Sequence, residues 1–372
     1  MAGLYIHIPF CRSRCIYCGF YSITLLDMRQ QYVDALCEEM RLRGRSDIST
    51  IYIGGGTPSL LTPEMLRQLF DTIDRVYDVS PSAEVTMECN PDDVTDKSAS
   101  LLRQFPINRV SMGIQSFDDR RLRFLHRRHT ALQGHQAVDS LRQAGIDNIS
   151  IDLMFGFPGQ TVGDWDKDIA EALCLHVEHI SAYSLMYESG TPLAEMLARH
   201  EVEETDDDLY IIMYQHLADR LREAGYLHYE ISNFALPGRQ SRHNSSYWDG
   251  SPYIGIGAAA HSYDCHTRSW NVADIRQYVS DIADGLRPCE EEQLTATDHY
   301  NDLIATAMRT SSGISTDNLR ARFGEATARY FMENARPYID KGWLAADNGH
   351  VHLTLEGIAM SDTIMSDLIK IE

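Results

Sequence analysis

Three cysteines near the N-terminus form the chemically most specific pattern in this chain. Cys11, Cys15 and Cys18 are spaced C-x3-C-x2-C, so one short loop carries three thiols. As thiolates they can ligate three corners of an iron–sulfur cubane and leave its fourth iron without a ligand from the loop. An open iron can chelate a small molecule directly, and this is the chemistry that the spacing predicts.

A structural zinc site is the alternative interpretation of this loop, because Cys3His is a common zinc ligand set and His7 lies nearby in the sequence. Zinc loops usually come as two short-spaced ligand pairs, and the chain has no second pair. We expect most of the other cysteines to be small buried hydrophobic residues. These are Cys37, Cys89, Cys174, Cys265 and Cys289.

The elements that must position the loop follow a strand-and-helix rhythm over the first half of the chain. Apolar runs predict six strands, at residues 4–8, 50–53, 84–88, 109–113, 148–155 and 179–187, with helical patterns between them. This alternation predicts parallel strands joined by right-handed crossovers. Six units are fewer than the eight of a full TIM barrel, so we predict an α/β fold with a partial, open (β/α)6 barrel.

Polar residues fall at the carboxyl ends of these predicted strands, where a barrel of parallel strands has its active site. The cysteine loop follows the first strand, and residues 54–57 (G-G-G-T) follow the second. Glu88 ends the third strand, Gln115 lies just past the fourth, and Asp152 lies within the fifth. Each residue alone could be a cap or a satisfied polar group, but five consecutive strands together predict one shared site.

The pattern changes after Thr205. Residues 206–290 combine a helix, an edge strand, an irregular polar stretch and a Gly/Ala-rich segment, and we expect them to complete the barrel. Residues 291–372 predict two helices, a hairpin turned at Asn348-Gly349 and a last helix, which is a winged-helix-like pattern. The predicted domains are therefore 1–205, 206–290 and 291–372.

The composition indicates an acidic protein with enough apolar content, 44% of 372 residues, for a substantial core. The net charge of −21 argues against nucleic acid or an anionic membrane as the main partner. The chain has no apolar run of membrane-spanning length and no secretory signal pattern at its N-terminus, so we expect neither stable membrane insertion nor export. Free thiols and an oxygen-sensitive cluster favour a cytoplasmic location.

Several motifs of the chain resemble those of a known family. The cysteine loop, with Tyr17 before its third cysteine, resembles the radical S-adenosylmethionine (SAM) superfamily. Four stretches are similar to the oxygen-independent coproporphyrinogen III oxidase group and occur in the same order, at residues 5–11, 54–59, 111–117 and 152–158. The resemblance spans essentially the whole chain and implies a radical SAM partial barrel.

Two departures separate this chain from the oxidase proper. The oxidase has a fourth cysteine two residues after the third, where this chain has Phe20, and a long extension before the motif that begins here at Tyr5. Both departures, and residues 243–248 (H-N-S-S-Y-W), match a heme-chaperone branch of the family. The resemblance therefore implies a protein that binds heme and delivers it to an acceptor, and it counts against oxidase activity.

The resemblance also implies SAM-binding residues. Contacts to SAM are implied for Tyr5, Thr57, Glu88, Gln115, Arg127 and Asp152. Positions for a second SAM, whose binding stays open, are matched by Tyr17, Gly56, Thr57, Gln115, Arg127 and Asp152. Gly55 and Gly56 lack a Cβ, so the backbone can approach the methionyl part closely. Arg127 can hold a carboxylate with two hydrogen bonds, and a solvated surface charge is its alternative role.

His243 is the leading candidate for a heme ligand, because imidazole is the usual proximal ligand of heme iron. Tyr247 and Trp248 would offer aromatic faces to a porphyrin, and Arg239 or Arg242 could meet its propionates. A histidine in a polar loop is otherwise solvated or hydrogen-bonded. Rival ligands are His261, Cys265 and His266.

Three functions remain open at this point. The leading one is a cytoplasmic heme chaperone with one 4Fe-4S cluster, SAM and heme, and with no catalytic residue assigned. The rival is a radical SAM enzyme that oxidatively decarboxylates coproporphyrinogen propionates, and the third is a zinc-stabilised barrel for an unrelated metabolite. By family analogy the heme acceptor is a respiratory complex or its assembly factor, and a homodimer stays open.

Overall fold

The computed structural model describes residues 1–371 of the chain. Its first half alternates strands with helices, as the sequence predicts. The strands of this half are β1 (Ala2–Ile8), β2 (Asp47–Gly55), β3 (Asp78–Cys89), β4 (Arg109–Gln115), β5 (Ile149–Phe155) and β6 (His179–Ser184). The helices are α1 (Arg29–Arg43), α2 (Pro63–Val76), α3 (Asp96–Leu102), α4 (Asp119–Phe124), α5 (Ala131–Gln143), α6 (Val162–Cys174) and α7 (Pro192–Ala198).

These six strands pair in parallel, each with the next, from β1 to β6. They form the centre of a twelve-stranded sheet whose two outermost strands do not pair with each other within residues 1–371. The barrel is therefore partial and open, which confirms the predicted fold class.

The second half of the chain extends both edges of the sheet. Its elements are α8 (Asp207–Glu223), β7 (Leu227–Glu230), β8 (Asn233–Ala235), α9 (Arg242–Trp248), β9 (Tyr253–Ile256), β10 (His261–Tyr263), β11 (Thr267–Asn271), α10 (Ile275–Ala283) and β12 (Cys289–Gln293). Strand β8 pairs antiparallel with β6, and β7 follows it at that edge. At the other edge β9 pairs parallel with β1, and β10, β11 and β12 continue antiparallel.

The prediction of an irregular stretch before residue 249 is wrong in part, because this stretch contains β8 and α9. Helix α9 begins after Ser241, whose hydroxyl accepts a hydrogen bond from the backbone N–H of Asn244. Elsewhere the helix starts follow local signals: Thr62 caps α2 ahead of Pro63. Side-chain caps of this kind stabilise a helix by about 1 kcal/mol each.

The C-terminal part has its own small sheet and its own core. Its elements are α11 (Ala296–Ala307), β13 (Ile314–Ser315), α12 (Thr316–Asp340), β14 (Leu344–Asp347), β15 (His350–Leu353), α13 (Leu355–Ile358) and α14 (Ser361–Leu368). The predicted helix pair corresponds to α12, which breaks at Gly324 (φ 82°). Asn348 and Gly349 turn the hairpin with positive φ, as the predicted turn requires.

The molecule has two main hydrophobic cores and a third, small apolar cluster around Ile16. The larger core lies between the sheet and its helices, and it includes residues from both 1–205 and 206–290. The smaller core joins α11, α12, α14 and the C-terminal hairpin, from Tyr300 to Leu368. The separate smaller core supports a C-terminal domain that begins near residue 291, which we keep as a proposal. Within residues 1–371, no helix combines the length and apolarity that crossing a bilayer requires.

Candidate functional site

The cysteine loop lies at the carboxyl end of β1, and backbone hydrogen bonds fix it at two points. The N–H of Cys11 donates to the carbonyl of Ile23 (2.8 Å), and the N–H of Ile16 donates to the carbonyl of Leu125 (3.3 Å). The side chain of Ile16 is buried in a small apolar cluster. Hydrogen bonds at Cys11 and Ile16 thus hold the loop in place. The thiols of Cys11, Cys15 and Cys18 are all half-buried.

Two polar side chains approach the thiols. The Thr57 hydroxyl lies 3.6 Å from the sulfur of Cys11, and the Arg127 Nη1 lies 3.6 Å from the sulfur of Cys15. Burial raises the pKa of Cys11 and Cys18, and the nearby cysteines raise it further. The thiols of Cys11 and Cys18 are therefore close enough to a neighbouring cysteine for their ionisation to be disfavoured, and a bound cation removes this cost because a coordinating thiol is deprotonated. The donor set fits a cluster held by three thiolates.

His7 would have to release a hydrogen-bond partner before it could act as the fourth ligand of a zinc site. Its Nδ1 lies 2.8 Å from the hydroxyl of Tyr5 and its Nε2 lies 2.9 Å from the carbonyl oxygen of Tyr21, so both ring nitrogens have partners. These contacts weigh against the Cys3His alternative.

The glycines after β2 allow a close approach to the cysteine loop. Gly55 has φ 112°, and its N–H donates to Glu88 Oε2 (3.0 Å). A Cβ on Gly56 would lie 2.8 Å from the carbonyl oxygen of Phe10, next to the loop's first cysteine. A larger residue at either position would strain the backbone or move the loop, so the glycines are required by the contact itself.

Two half-buried carboxyl groups, those of Glu88 and Asp152, face the interior of the barrel. Glu88 accepts hydrogen bonds from the Tyr52 hydroxyl (2.7 Å) and the Gly55 N–H, yet burial raises its pKa to about 7. Burial likewise raises the pKa of Asp152 to about 6, although a hydrogen bond with Ser181 opposes the change. The charge of Asp152 also raises the pKa of Glu88, so the two groups lie near each other. Both can accept hydrogen bonds from hydroxyl or amino groups of a ligand.

Arg127 is held in place by several partners and is not a solvated surface charge. Its Nη2 donates to the carbonyl of Gly113 (2.5 Å) and to Asn90 Oδ1 (2.9 Å). The Nδ2 of Asn90 donates to the Thr57 hydroxyl (3.3 Å), so Asn90 links the arginine to the turn after β2. The sequence analysis missed Asn90, although its place directly after the third strand was a usable signal.

Gln115 and the two tyrosines complete the set of nine predicted SAM residues. Gln115 is 8% exposed and has φ 68°, at the point where the register between β4 and β5 shifts. A positive φ outside glycine costs free energy and is concentrated at functional sites. The Tyr5 hydroxyl bonds to His7, and Tyr17 lies near enough to Arg127 and Asp152 for their charges to shift its pKa. The structure thus brings the nine residues together around the cysteine loop.

The candidate heme ligand lies deeper in the barrel, in a setting that the sequence did not predict. His243 is fully buried, its Nδ1 lies 2.8 Å from the Thr50 hydroxyl, and its Nε2 lies 2.9 Å from the Tyr247 hydroxyl. The ring stacks on Tyr52 with 5.2 Å between centroids, and burial lowers its pKa to about 3. His243 is therefore neutral, and to ligate an iron it must release one of its two partners.

The other predicted heme residues are divided between α9 and the surface. Trp248 is half-buried under the guanidinium of Arg309 (5.1 Å from the ring centroid), and its Nε1 has no hydrogen-bond partner among residues 1–371. Arg239 and Arg242 are exposed, as are His261 and His266, whereas Cys265 is half-buried.

Comparison with known proteins decides the family. Residues 5–172 match the radical SAM superfamily, and residues 294–360 match the HemN C-terminal domain. The heme chaperone HemW of Lactococcus lactis subsp. lactis is 32% identical over 98% of this chain and 96% of its own length. The heme chaperone HemW of Bacillus subtilis is 33% identical over 98% of each chain. This chain belongs to the HemW family.

Membership of the HemW family confirms the predicted resemblance, and the radical SAM superfamily implies a 4Fe-4S cluster and SAM. A solved structure of the coproporphyrinogen III oxidase HemN from Escherichia coli has a TM-score of 0.86 to this chain. It covers 99% of this chain and 90% of its own, at 20% identity. At this identity the match shows a shared fold, which agrees with the open barrel and the C-terminal domain.

Proposed function

We propose that this protein is a heme chaperone that binds heme, a 4Fe-4S cluster and SAM, and that delivers the heme to an acceptor protein. The full-length similarity to proteins named heme chaperone HemW supports this function. The structural observation that carries the cofactor part is the approach of Thr57 and Arg127 to the half-buried thiols of the cysteine loop.

Each residue of the site has a proposed task. Cys11, Cys15 and Cys18 would hold three irons of the cluster, which supplies one-electron chemistry when bound. Arg127, fixed by Asn90, can hold a carboxylate with charge-assisted hydrogen bonds. The turn at Gly55 and Gly56 brings backbone groups within reach of a ligand's methionyl part. Glu88 and Asp152 can accept hydrogen bonds from ribose hydroxyls or an amino group.

Oxidase activity is the second candidate, and the shared fold with HemN is the observation in its favour. Against it, the position of the oxidase's fourth cysteine holds Phe20, whose side chain is 71% exposed. A phenylalanine cannot replace a thiol in electron or proton transfer. We therefore propose that the chain does not turn over coproporphyrinogen, and formation of protoporphyrinogen at catalytic rates by the reduced, cluster-loaded protein would overturn this.

His243 remains our proposed heme ligand, with Tyr247 as the partner that must move. The Tyr247 hydroxyl occupies Nε2, the nitrogen on the opposite side of the ring from the Thr50 bond. A neutral imidazole is the form that binds iron, and burial already keeps His243 neutral. Breaking one hydrogen bond to free Nε2 would cost about 1 kcal/mol or more, which iron ligation can offset.

Heme titration of paired variants tests this ligand. We expect His243→Ala to lose the ligand-dependent shift of the Soret band, and Tyr247→Phe, which frees Nε2, to bind heme at least as tightly as the wild type. His299→Ala, which changes a half-buried histidine in α11, is the matched control and should bind like the wild type. Equal Soret shifts in wild type and His243→Ala would show that another residue ligates the heme.

We propose a cytoplasmic location and, by family analogy, a respiratory complex or its assembly factor as the acceptor. The eight free cysteines are compatible with a reducing compartment. The net charge of −21 would favour a neutral or basic surface on the acceptor.

A further inference from the structure

A row of side chains inside the barrel leads to a buried arginine that the SAM site and the heme motif do not use. The strand registers pair Tyr5 with Tyr52, Tyr52 with Thr86, and Thr86 with Arg109. Register partners on adjacent strands point to the same face of a sheet. Tyr52 contacts both Glu88 and His243, so this face is the barrel interior.

Arg109 and Thr86 have unmet hydrogen-bonding groups in this interior. Arg109 is 1% exposed, and its Nε and Nη1 have no hydrogen-bond partner among residues 1–371. The hydroxyl of Thr86, its register partner, is fully buried and equally unpaired in the described chain. A guanidinium stays charged at all physiological pH values, and a buried charge is stable only when it is paired or hydrogen-bonded.

The acidic neighbours of Arg109 are committed to other groups. Glu84 accepts hydrogen bonds from the backbone N–H groups of Arg242 and His243. Glu88 is bound to Tyr52 and Gly55, as described above. Within residues 1–371 no carboxylate forms a direct ion pair with Arg109, although Glu88 and Asp152 lie near enough to feel its charge.

The position of Arg109 connects the two ends of the barrel interior. Its positive charge lowers the pKa of Glu88 and Asp152 on the side of the cysteine loop. It also lowers the pKa of His243 and His179 on the side of α9. An anion bound at Arg109 would therefore lie between the SAM-type residues and the heme motif.

We propose that Arg109 and Thr86 form an anion site inside the barrel, which takes a carboxylate group of a bound ligand. The guanidinium and the hydroxyl supply donors with no other partner, and a carboxylate supplies both charge and acceptors. The inference deepens the proposed function, because the propionates of heme are carboxylates that such a site would receive. A small free carboxylate such as acetate has the same chemistry, so it is the second source of a carboxylate for this site.

The test compares Arg109→Met with Arg329→Met, a matched change of an exposed arginine in α12. Heme, heme dimethyl ester (which lacks free carboxylates) and acetate are the probes. We expect Arg109→Met to bind heme at least tenfold more weakly than the wild type and the control. All three proteins should bind the dimethyl ester with the same, weaker affinity. Arg109→Lys, which retains the charge, should bind heme with an affinity between those of the wild type and Arg109→Met.

Thermal unfolding with acetate separates the two carboxylate sources. Acetate that raises the melting temperature of the wild type and not of Arg109→Met, with unchanged heme binding, supports the site and assigns it to small carboxylates. If Arg109→Met does not fold, Arg109→Lys and Thr86→Val carry the same comparisons.

Identical heme binding and identical acetate response in wild type and the Arg109 variants would overturn the anion site while leaving the proposed function intact. A wild type that binds no heme would instead refute the proposed function. In that case the acetate comparison alone still decides the anion site.

Discussion

At the scale of single residues, the environment of each polar group decides what it can do, and Glu88 is the clearest case. Its carboxyl is half-buried and accepts two hydrogen bonds, and burial raises its pKa from 4.5 to about 7. The site therefore contains a group that changes its protonation near neutral pH. A ligand hydroxyl would meet an acceptor above this pKa and a donor below it.

Because folding raises the pKa of Glu88, this residue makes the free energy of unfolding fall as the pH rises. The folded chain keeps this proton up to about pH 7, whereas the unfolded chain releases it near pH 4.5. Unfolding thus releases a proton in this window, and the free energy of unfolding falls across it by up to about 3 kcal/mol. We expect urea unfolding of cofactor-free protein at about pH 5 and about pH 8 to show this loss in the wild type.

The same measurement on Glu88→Gln should show a smaller loss, because glutamine does not titrate. Asp152, whose pKa is also raised, is present in both proteins, so the difference between them isolates Glu88. If the free energy of unfolding depended on pH identically in the two proteins, Glu88 could not be protonated near neutral pH in the folded chain.

Asn90 is a positioning residue for Arg127 and Thr57. We expect Asn90→Ala to weaken SAM binding to the cluster-loaded protein by about 1–2 kcal/mol, roughly tenfold, because two hydrogen bonds are lost. Asn90→Asp keeps the acceptor for Arg127 and loses the donor to Thr57, so its affinity should fall in between. Calorimetric titration with SAM gives these affinities.

The matched control for Asn90 is Asn318→Ala, which changes an exposed asparagine at the start of α12. It should bind SAM like the wild type. If Asn90→Ala bound SAM with wild-type affinity, Arg127 would not need the hydrogen bond to Asn90 in order to bind SAM.

At the scale of elements, the turn after β2 packs directly against the backbone that leads into the cysteine loop. The N–H of Gly56 donates to the carbonyl of Ile8 (2.8 Å), and there is no room for a Cβ beside the backbone of Pro9 and Phe10. The turn and the loop must therefore move together.

We expect Gly56→Ala to incorporate less than about half of the wild-type iron and sulfide, because the added methyl group displaces the backbone just before Cys11. Gly163→Ala is the control: it lies in α6, and its nearest neighbour would be 3.9 Å from the added Cβ. Anaerobic reconstitution followed by iron and sulfide analysis measures both. Full cluster content in Gly56→Ala would show that the loop adapts freely.

Elements with strong local signals could be predicted from the sequence, and elements made by distant contacts could not. The six parallel strands and the hairpin at Asn348-Gly349 follow from apolar runs and turn residues. Helix α9 was missed because its polar residues carry no helical periodicity. Its order comes from Glu84, about 160 positions away, which accepts the backbone N–H groups of Arg242 and His243.

The candidate site shows the same division. The cysteines and glycines are readable because their chemistry needs a fixed spacing along the chain. The position of Asn90 directly after the third strand was a usable signal, but its partners come from other parts of the chain and only the folded barrel reveals them. The role of Arg109 could not be read at all, because it depends on the lack of partners for its Nε and Nη1.

At the scale of the whole molecule, the C-terminal domain is attached to the barrel beside the heme motif. Arg309 pairs with the buried Glu230 (2.7 Å) and lies over the ring of Trp248. One side chain thus connects the small domain, the edge of the sheet and α9. A movement of the C-terminal domain would change the surroundings of the residues proposed to hold heme.

The account depends most on a cluster with an open iron at residues 11–18. Anaerobic reconstitution of the wild type, with elemental analysis and a visible spectrum, tests it directly. We predict about four iron and four acid-labile sulfide ions per chain, with a brown chromophore that is lost in the Cys15→Ser variant. Zinc in place of iron, with no sulfide in the wild type, would contradict the account.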